Sequence, residues 1–209
     1  MTCSFDWDGG GATSTAPVSG GTCSKTNTFT SAGVYSVTVT VTDSTGDTAS
    51  AIVMIVVFDP KAGFVSGGGT VDSPAGAYIA DPNASGSATF GFYSKYRKGA
   101  AIPTGETEFL FRTGNFRFRA VKYDWLVVAG ARAQFKGTGS VNGVSNYGFL
   151  LTVVDGDLTG GGGVDRFRLK VWDKSAADKI VYDNVIGAPD DLEAASPQAL
   201  TSGSIIIHK

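Results

Sequence analysis

Residues 34–43 read VYSVTVTVTD, and their spacing decides the fold class. Val37, Val39 and Val41 alternate with Ser36, Thr38, Thr40 and Thr42. A repeat of two puts one set on each face of an extended strand, and no helix presents that pattern. The stretch STGDT follows as a turn around Gly46, and a second apolar run continues to Val57. On the other side, TSAGVY is read as a turn in which Gly33 takes a positive φ.

The same alternation recurs downstream. Phe90 and Phe92 share a face, as do Phe109 and Phe111, Phe116 and Phe118, and Phe149, Leu151 and Val153. Phe167, Leu169 and Val171 continue the series, and IVYD and SIIIHK supply late strands. The turn signals KGAAIPTGE, RTGN, SVNGVSN and DGDLTGGGG separate them. About nine or ten strands are expected here, with at most one helical turn in PDDLEAASPQAL. The chain therefore divides into a first module at 1–58, a junction at 59–69 around Asp59-Pro60 and three glycines, and a second module at 70–209.

Composition agrees. The 209 residues are 42% hydrophobic, enough for a packed core, and include 29 Gly and 13 Phe. A formal net charge of −2 gives no drive toward nucleic acid or an anionic membrane. No apolar run approaches the length of a membrane-spanning helix. The start MTCSFDWDGG has neither a basic nor an apolar leader region, so any export signal is expected upstream.

The stretches FDWDGG, NTFTSAGVYSVTVTVTDSTGDTAS and the run to Val57 resemble the later half of a PKD-type immunoglobulin-like domain. That resemblance implies a partial β-sandwich, with Trp7 packed in its core and Tyr35 as the corner tyrosine. It also implies that the first strands are missing and that an apolar edge is left open. The second module carries GGGTVDSPAGAY, ATFGFYSKYRKGA, PTGETEFLF, YDWLVV, AQFKGTGSVNG, YGFLLTVVDGD, DRFRLKVWDK, IVYDN and GSIIIH in order. These motifs resemble the post-COAP domain of bacterial surface proteins. The fold expected is all-β: a partial PKD-type sandwich followed by a second antiparallel β-sandwich or partly closed barrel. The resemblance implies a secreted or cell-surface location and no known activity.

Residues that carry chemistry are few. Cys3 and Cys23 are either two free thiols or a disulfide, and the extracellular-type context favours the disulfide. His208 is the single histidine and sits at a strand end, so a Ser-His-Asp triad is not expected. Glu106, Glu108 and Asp124 read as solvated strand positions. Asp155, Asp157 and Asp165 surround a glycine-rich loop, and calcium is the cofactor this loop suggests; Asx turns are the simpler alternative. Asp6, Asp8, Asp43 and Asp47 form a second acidic group. Alternation places Arg166, Arg168, Lys170 and Trp172 opposite Phe167, Leu169 and Val171, on the non-core face. That set is a candidate ligand face unless a loop covers it.

The chain is thus expected to be a non-catalytic structural or adhesive module. One alternative is a carbohydrate-binding module using Trp172, Trp125, Tyr93 or Tyr96. Another is a filament or surface-array subunit assembled by strand complementation. Partners would be protein or polysaccharide at a cell surface, or further copies of the chain, and not nucleic acid.

Overall fold

The computed structural model of the protein describes residues 1–7, 13–31, 33–57 and 63–208. Fourteen strands account for its architecture, with no helix among the described residues. Two compact units divide the chain, Met1–Val57 and Phe58–Lys209.

The first unit is an antiparallel sheet of β1 (Thr2–Trp7), β2 (Thr13–Pro17), β3 (Gly33–Thr42) and β4 (Thr48–Val57), ordered β2-β1-β3-β4. Register sets Cys3 opposite Val41, Phe5 opposite Val39 and Trp7 opposite Val37, so the alternating valines do mark the apolar face. Cys3, Phe5 and Ala16 are buried there, with Trp7, Val18 and Cys23 packed against them. The Cys3–Cys23 disulfide, with Cα atoms 6.4 Å apart, ties the segment after β2 to the middle of the sheet. Tyr35 donates its hydroxyl to Ser31 O at 2.9 Å, the corner role expected of it. Trp7 packs beside Phe5 and donates Nε1–H to Ser14 Oγ. The described residues form one layer, as a partial sandwich should.

The second unit is a meander that curls. In order come β5 (Phe64–Ser73), β6 (Gly86–Lys95), β7 (Thr104–Phe111), β8 (Phe116–Ala129), β9 (Arg132–Val141), β10 (Val144–Val154), β11 (Arg166–Asp173) and β12 (Lys179–Asp183). Each pairs antiparallel with the next. β13 (Gln198–Ala199) pairs with β11, and β14 (Ser202–His208) returns to lie beside β5. The β9–β10 hairpin turns on Asn142 and Gly143, both at positive φ (50° and 83°), the pairing that a two-residue hairpin loop favours.

The two ends of this sheet approach each other. Just after β5, Ala77 O accepts from Asp183 N and Ile79 N donates to Val181 O, so residues 77–79 run beside β12. Leu200 N donates to Asp165 O while Thr201 N donates to Thr70 O, which carries the chain from the β11 edge across to the β5 edge. The result is a partly closed barrel. Its interior is aromatic: Phe90, Phe109 and Phe167 stack, with centroids 4.0 Å apart for Phe90–Phe167, and Tyr182 packs on Phe116 at 4.8 Å. Tyr182 is buried and donates to Ser73 Oγ; burial pushes its phenol well above the ordinary range.

One boundary differs from expectation. Gly67, Gly68 and Gly69 belong to β5 and not to a junction. A Cβ on Gly69 would strike the Ser202 carbonyl, and one on Gly67 would crowd Phe92 and Ile205. These two glycines are there because other chain passes close, not for flexibility.

Closing a loop of 20 residues contributes about 3 kcal/mol by the chain-entropy model. Replacing Cys3 and Cys23 by Ala should therefore lower the stability of the first unit by about that amount in urea titrations. Peptide mapping without reductant should recover the linked pair.

Candidate functional site

The face opposite the barrel core on β9–β11 is buried at its centre, at Gln134, Thr152 and Arg168. Arg168 is 1% exposed. Its guanidinium binds Asp183 through two hydrogen bonds, at 3.0 and 2.7 Å, and donates to the carbonyls of Pro189 and Ala188. Asp190 lies 3.3 Å from the same guanidinium and takes Lys170 Nζ at 2.6 Å. Arg166 reaches Pro197 O, and Gln134 bridges Thr152 Oγ1 and Asp190 O. Residues 188–197 therefore lie over Arg168 and Lys170, and the candidate ligand face of Arg166, Arg168, Lys170 and Trp172 is corrected in its middle: Arg168 is buried and ion-paired and Lys170 is half-buried and ion-paired, while Arg166 stays exposed and Trp172 half-buried. Trp172 is half-buried over Gly148, where a Cβ would overlap the indole, and Lys136 Nζ sits 5.5 Å from its ring. The covering segment makes the single helical turn expected of it: Ala195 N donates to Asp191 O. One signal of this burial was present in the sequence. GFLLTVV in β10 is apolar without alternation except for Thr152, which marks a strand buried on both faces.

The acidic loop between β10 and β11 is also committed to the fold. Asp155 accepts from Asp157 N through Oδ1 and from Ile207 N through Oδ2, at 3.1 and 2.9 Å. Asp165 accepts from Gly156 N and Ile205 N, at 2.7 and 2.8 Å. All four carboxylate oxygens thus face main-chain amides, two of them on β14. Asp157 is exposed. Among the described residues no group of three or more His, Cys, Asp or Glu is gathered in one place. In the first unit, Asp43 accepts from Thr45 N, Thr45 Oγ1 and Asp47 N, an Asx turn whose hydrogen bonds, led by the Thr45 hydroxyl, hold its carboxyl below the ordinary range. Asp8 lies outside the described residues.

A groove of about 810 Å3 opens on the outer face of β6 and β7, and a second of about 650 Å3 lies beside it around Arg119, Ser140 and Asn142. Gly91 lies on the floor of the larger groove, with Tyr93, Glu106 and Glu108 along it and Leu110, Arg112 and Arg117 at one end. Tyr93 is 39% exposed and stands opposite Glu106 across the strand pair. Glu108 makes ion contacts with Arg117 and Arg119 at 3.5 and 3.3 Å; these are exposed and worth at most about 1 kcal/mol each. Of the other aromatic candidates, Tyr96 bridges Leu126 N and O through its hydroxyl, a structural role, and Trp125 is half-buried.

No family model, curated protein or solved structure matches the chain.

Removing one partner of a buried ion pair leaves the other charge stranded, at a cost of about 3–5 kcal/mol. Arg168→Met should destabilise the second unit by that order in denaturant titrations. Asp155→Ala should leave Ile207 N–H without its acceptor and cost about 1–3 kcal/mol, with hydrogen exchange faster at Ile207 than at Ile205, which keeps Asp165. Because the carboxylates already hold amides, the melting temperature should be the same in millimolar calcium and in chelator. A higher melting temperature in calcium that Asp157→Ala abolishes would place a cation in this loop.

Proposed function

We propose that the chain is a non-catalytic structural or adhesive module of a secreted or cell-surface modular protein. The observation that carries this reading is where the charge goes. Arg168, Asp183, Asp190, Lys170, Asp155 and Asp165 all bind one another or the main chain within the fold. Charged groups used this way stiffen a scaffold rather than meet a substrate. The disulfide in the small first unit supports an oxidising compartment. The motif resemblances to PKD-type and post-COAP domains point the same way. A display experiment tests the reading. Cells carrying the chain at their surface should adhere more strongly to polysaccharide- or protein-coated surfaces, without hydrolysing ester, glycoside or phosphate reporters. Turnover abolished by Glu106→Gln or Glu108→Gln would overturn it.

A second reading, strand complementation into a filament, has its own observation. β4 is an edge strand ten residues long, with no charged residue, and Ile52 and Val53 on its two faces are 71% and 52% exposed. Long uncharged edges recruit further strands. Light scattering should then show concentration-dependent growth that Val53→Lys suppresses. A monodisperse monomer at all concentrations would end this second reading.

A further inference from the structure

We propose that the groove on the outer face of β6 and β7, open toward β5 at Gly68, binds an oligosaccharide, with Tyr93 stacking on a sugar ring. The proposal deepens the adhesive reading above by giving it a partner.

The trench exists because two side chains are missing side by side. Gly68 stands directly opposite Gly91, and Gly91 opposite Glu108. Glycine inside a strand weakens it and calls for a reason. For Gly67 and Gly69 the reason is the close passage of other residues. Gly91 has no such reason: a Cβ there would meet nothing within 4 Å, and its φ is not positive. What its bareness provides is room on the surface. Two residues along β6 in one direction stands Tyr93 opposite Glu106; two in the other stands Thr89 opposite Leu110. Those rows lie about 7 Å to either side along the strand, which leaves a channel wide enough for a pyranose ring.

The lining matches sugar chemistry. Tyr93 presents an exposed flat ring with a polar tip. Glu106 and Glu108 accept hydrogen bonds, while Arg112 and Arg117 donate them. Two carboxylates and two guanidiniums leave no net charge along the groove, so neither an anion nor a cation is favoured. Hydroxyl groups, which donate and accept, satisfy both kinds of side chain. The phenylalanines of the lining, Phe90, Phe92 and Phe109, are buried, so an apolar peptide anchor would meet the half-buried Leu110 as the one aliphatic side chain.

Affinity electrophoresis of the whole chain tests this, in gels containing hydroxyethylcellulose, xylan, glucomannan or glycol chitin. At least one polysaccharide should retard migration. Calorimetry with the matching hexasaccharide should show binding at least tenfold weaker for Tyr93→Ala. Gly91→Leu fills the trench where the fold leaves space, so it should lose binding to the same degree with an unchanged melting temperature. Val144→Ala, on the exposed β9–β10 hairpin, should behave as the parent chain. No retardation by any of the polysaccharides, or retardation unaltered in Gly91→Leu, would overturn the site. Adhesion to protein-coated surfaces that survives such a result leaves the module reading in place.

Discussion

A sheet that curls without fully closing leaves the amides of its last strand facing nothing. In the second unit that strand is β14, whose inward residues Ile205 and Ile207 are core. Their N–H groups meet the carboxylates of Asp165 and Asp155. Buried amides without acceptors are costly, and an exposed row of them invites another strand. Two charged acceptors on one loop answer both problems, because hydrogen bonds to ionised groups are the stronger kind. They also fix the loop: Asp165 holds Gly156 N and Asp155 holds Asp157 N, so the latch cannot shift without breaking its own turn. The curl, the placement of β14 against β5 and the enclosure of the phenylalanine core depend on this contact.

The ionic layer outside β9–β11 follows from the same need to cover sheet. A strand such as β10, apolar on both faces, requires a second layer. The layer over it is 188–197, a segment without regular structure beyond one turn, and such a segment brings main-chain carbonyls that need donors. Arg168 supplies them to Ala188 and Pro189, and Arg132 to Leu192 and Ala195. Arginine suits this role because its guanidinium is a fixed planar fork with five donors. Burying that charge is unfavourable alone, and Asp183 and Asp190 offset it. The polar network therefore sets where the cover sits, while the apolar strands set that a cover is needed.

Local features were legible and distant ones were not. Period-two alternation located the valine face of β3 and the phenylalanine face of β6–β8, because side-chain direction in a strand is a local property. The NG turn and the Tyr35 corner were legible for the same reason. Arg168 shows the limit. Alternation correctly placed it away from the core, yet whether that face meets water depends on a segment about 20 residues later. Asp155 and Asp165 were recognisable as loop acids, but their amide partners lie 52 and 40 residues away. Composition alone could not separate a glycine linker from glycines inside β5, since both look the same until the neighbouring strands are placed.

The two units treat the edge problem in opposite ways, and the contrast bears on function. In the second unit β14 is short, paired with β5 on one side and capped by carboxylates on the other. In the first unit β2 is only five residues long and ends at Pro17, so that edge is poorly suited to pairing. β4 has neither device: it is ten residues long, uncharged, and exposes Val53 on the apolar face of its sheet. The disulfide anchors the cover over Cys3 and Phe5, at the β1–β2 side of that face, and leaves the β4 side open. A chain that caps β14 with two charges and leaves β4 long and uncharged makes β4 the described edge best suited to pairing with a further strand.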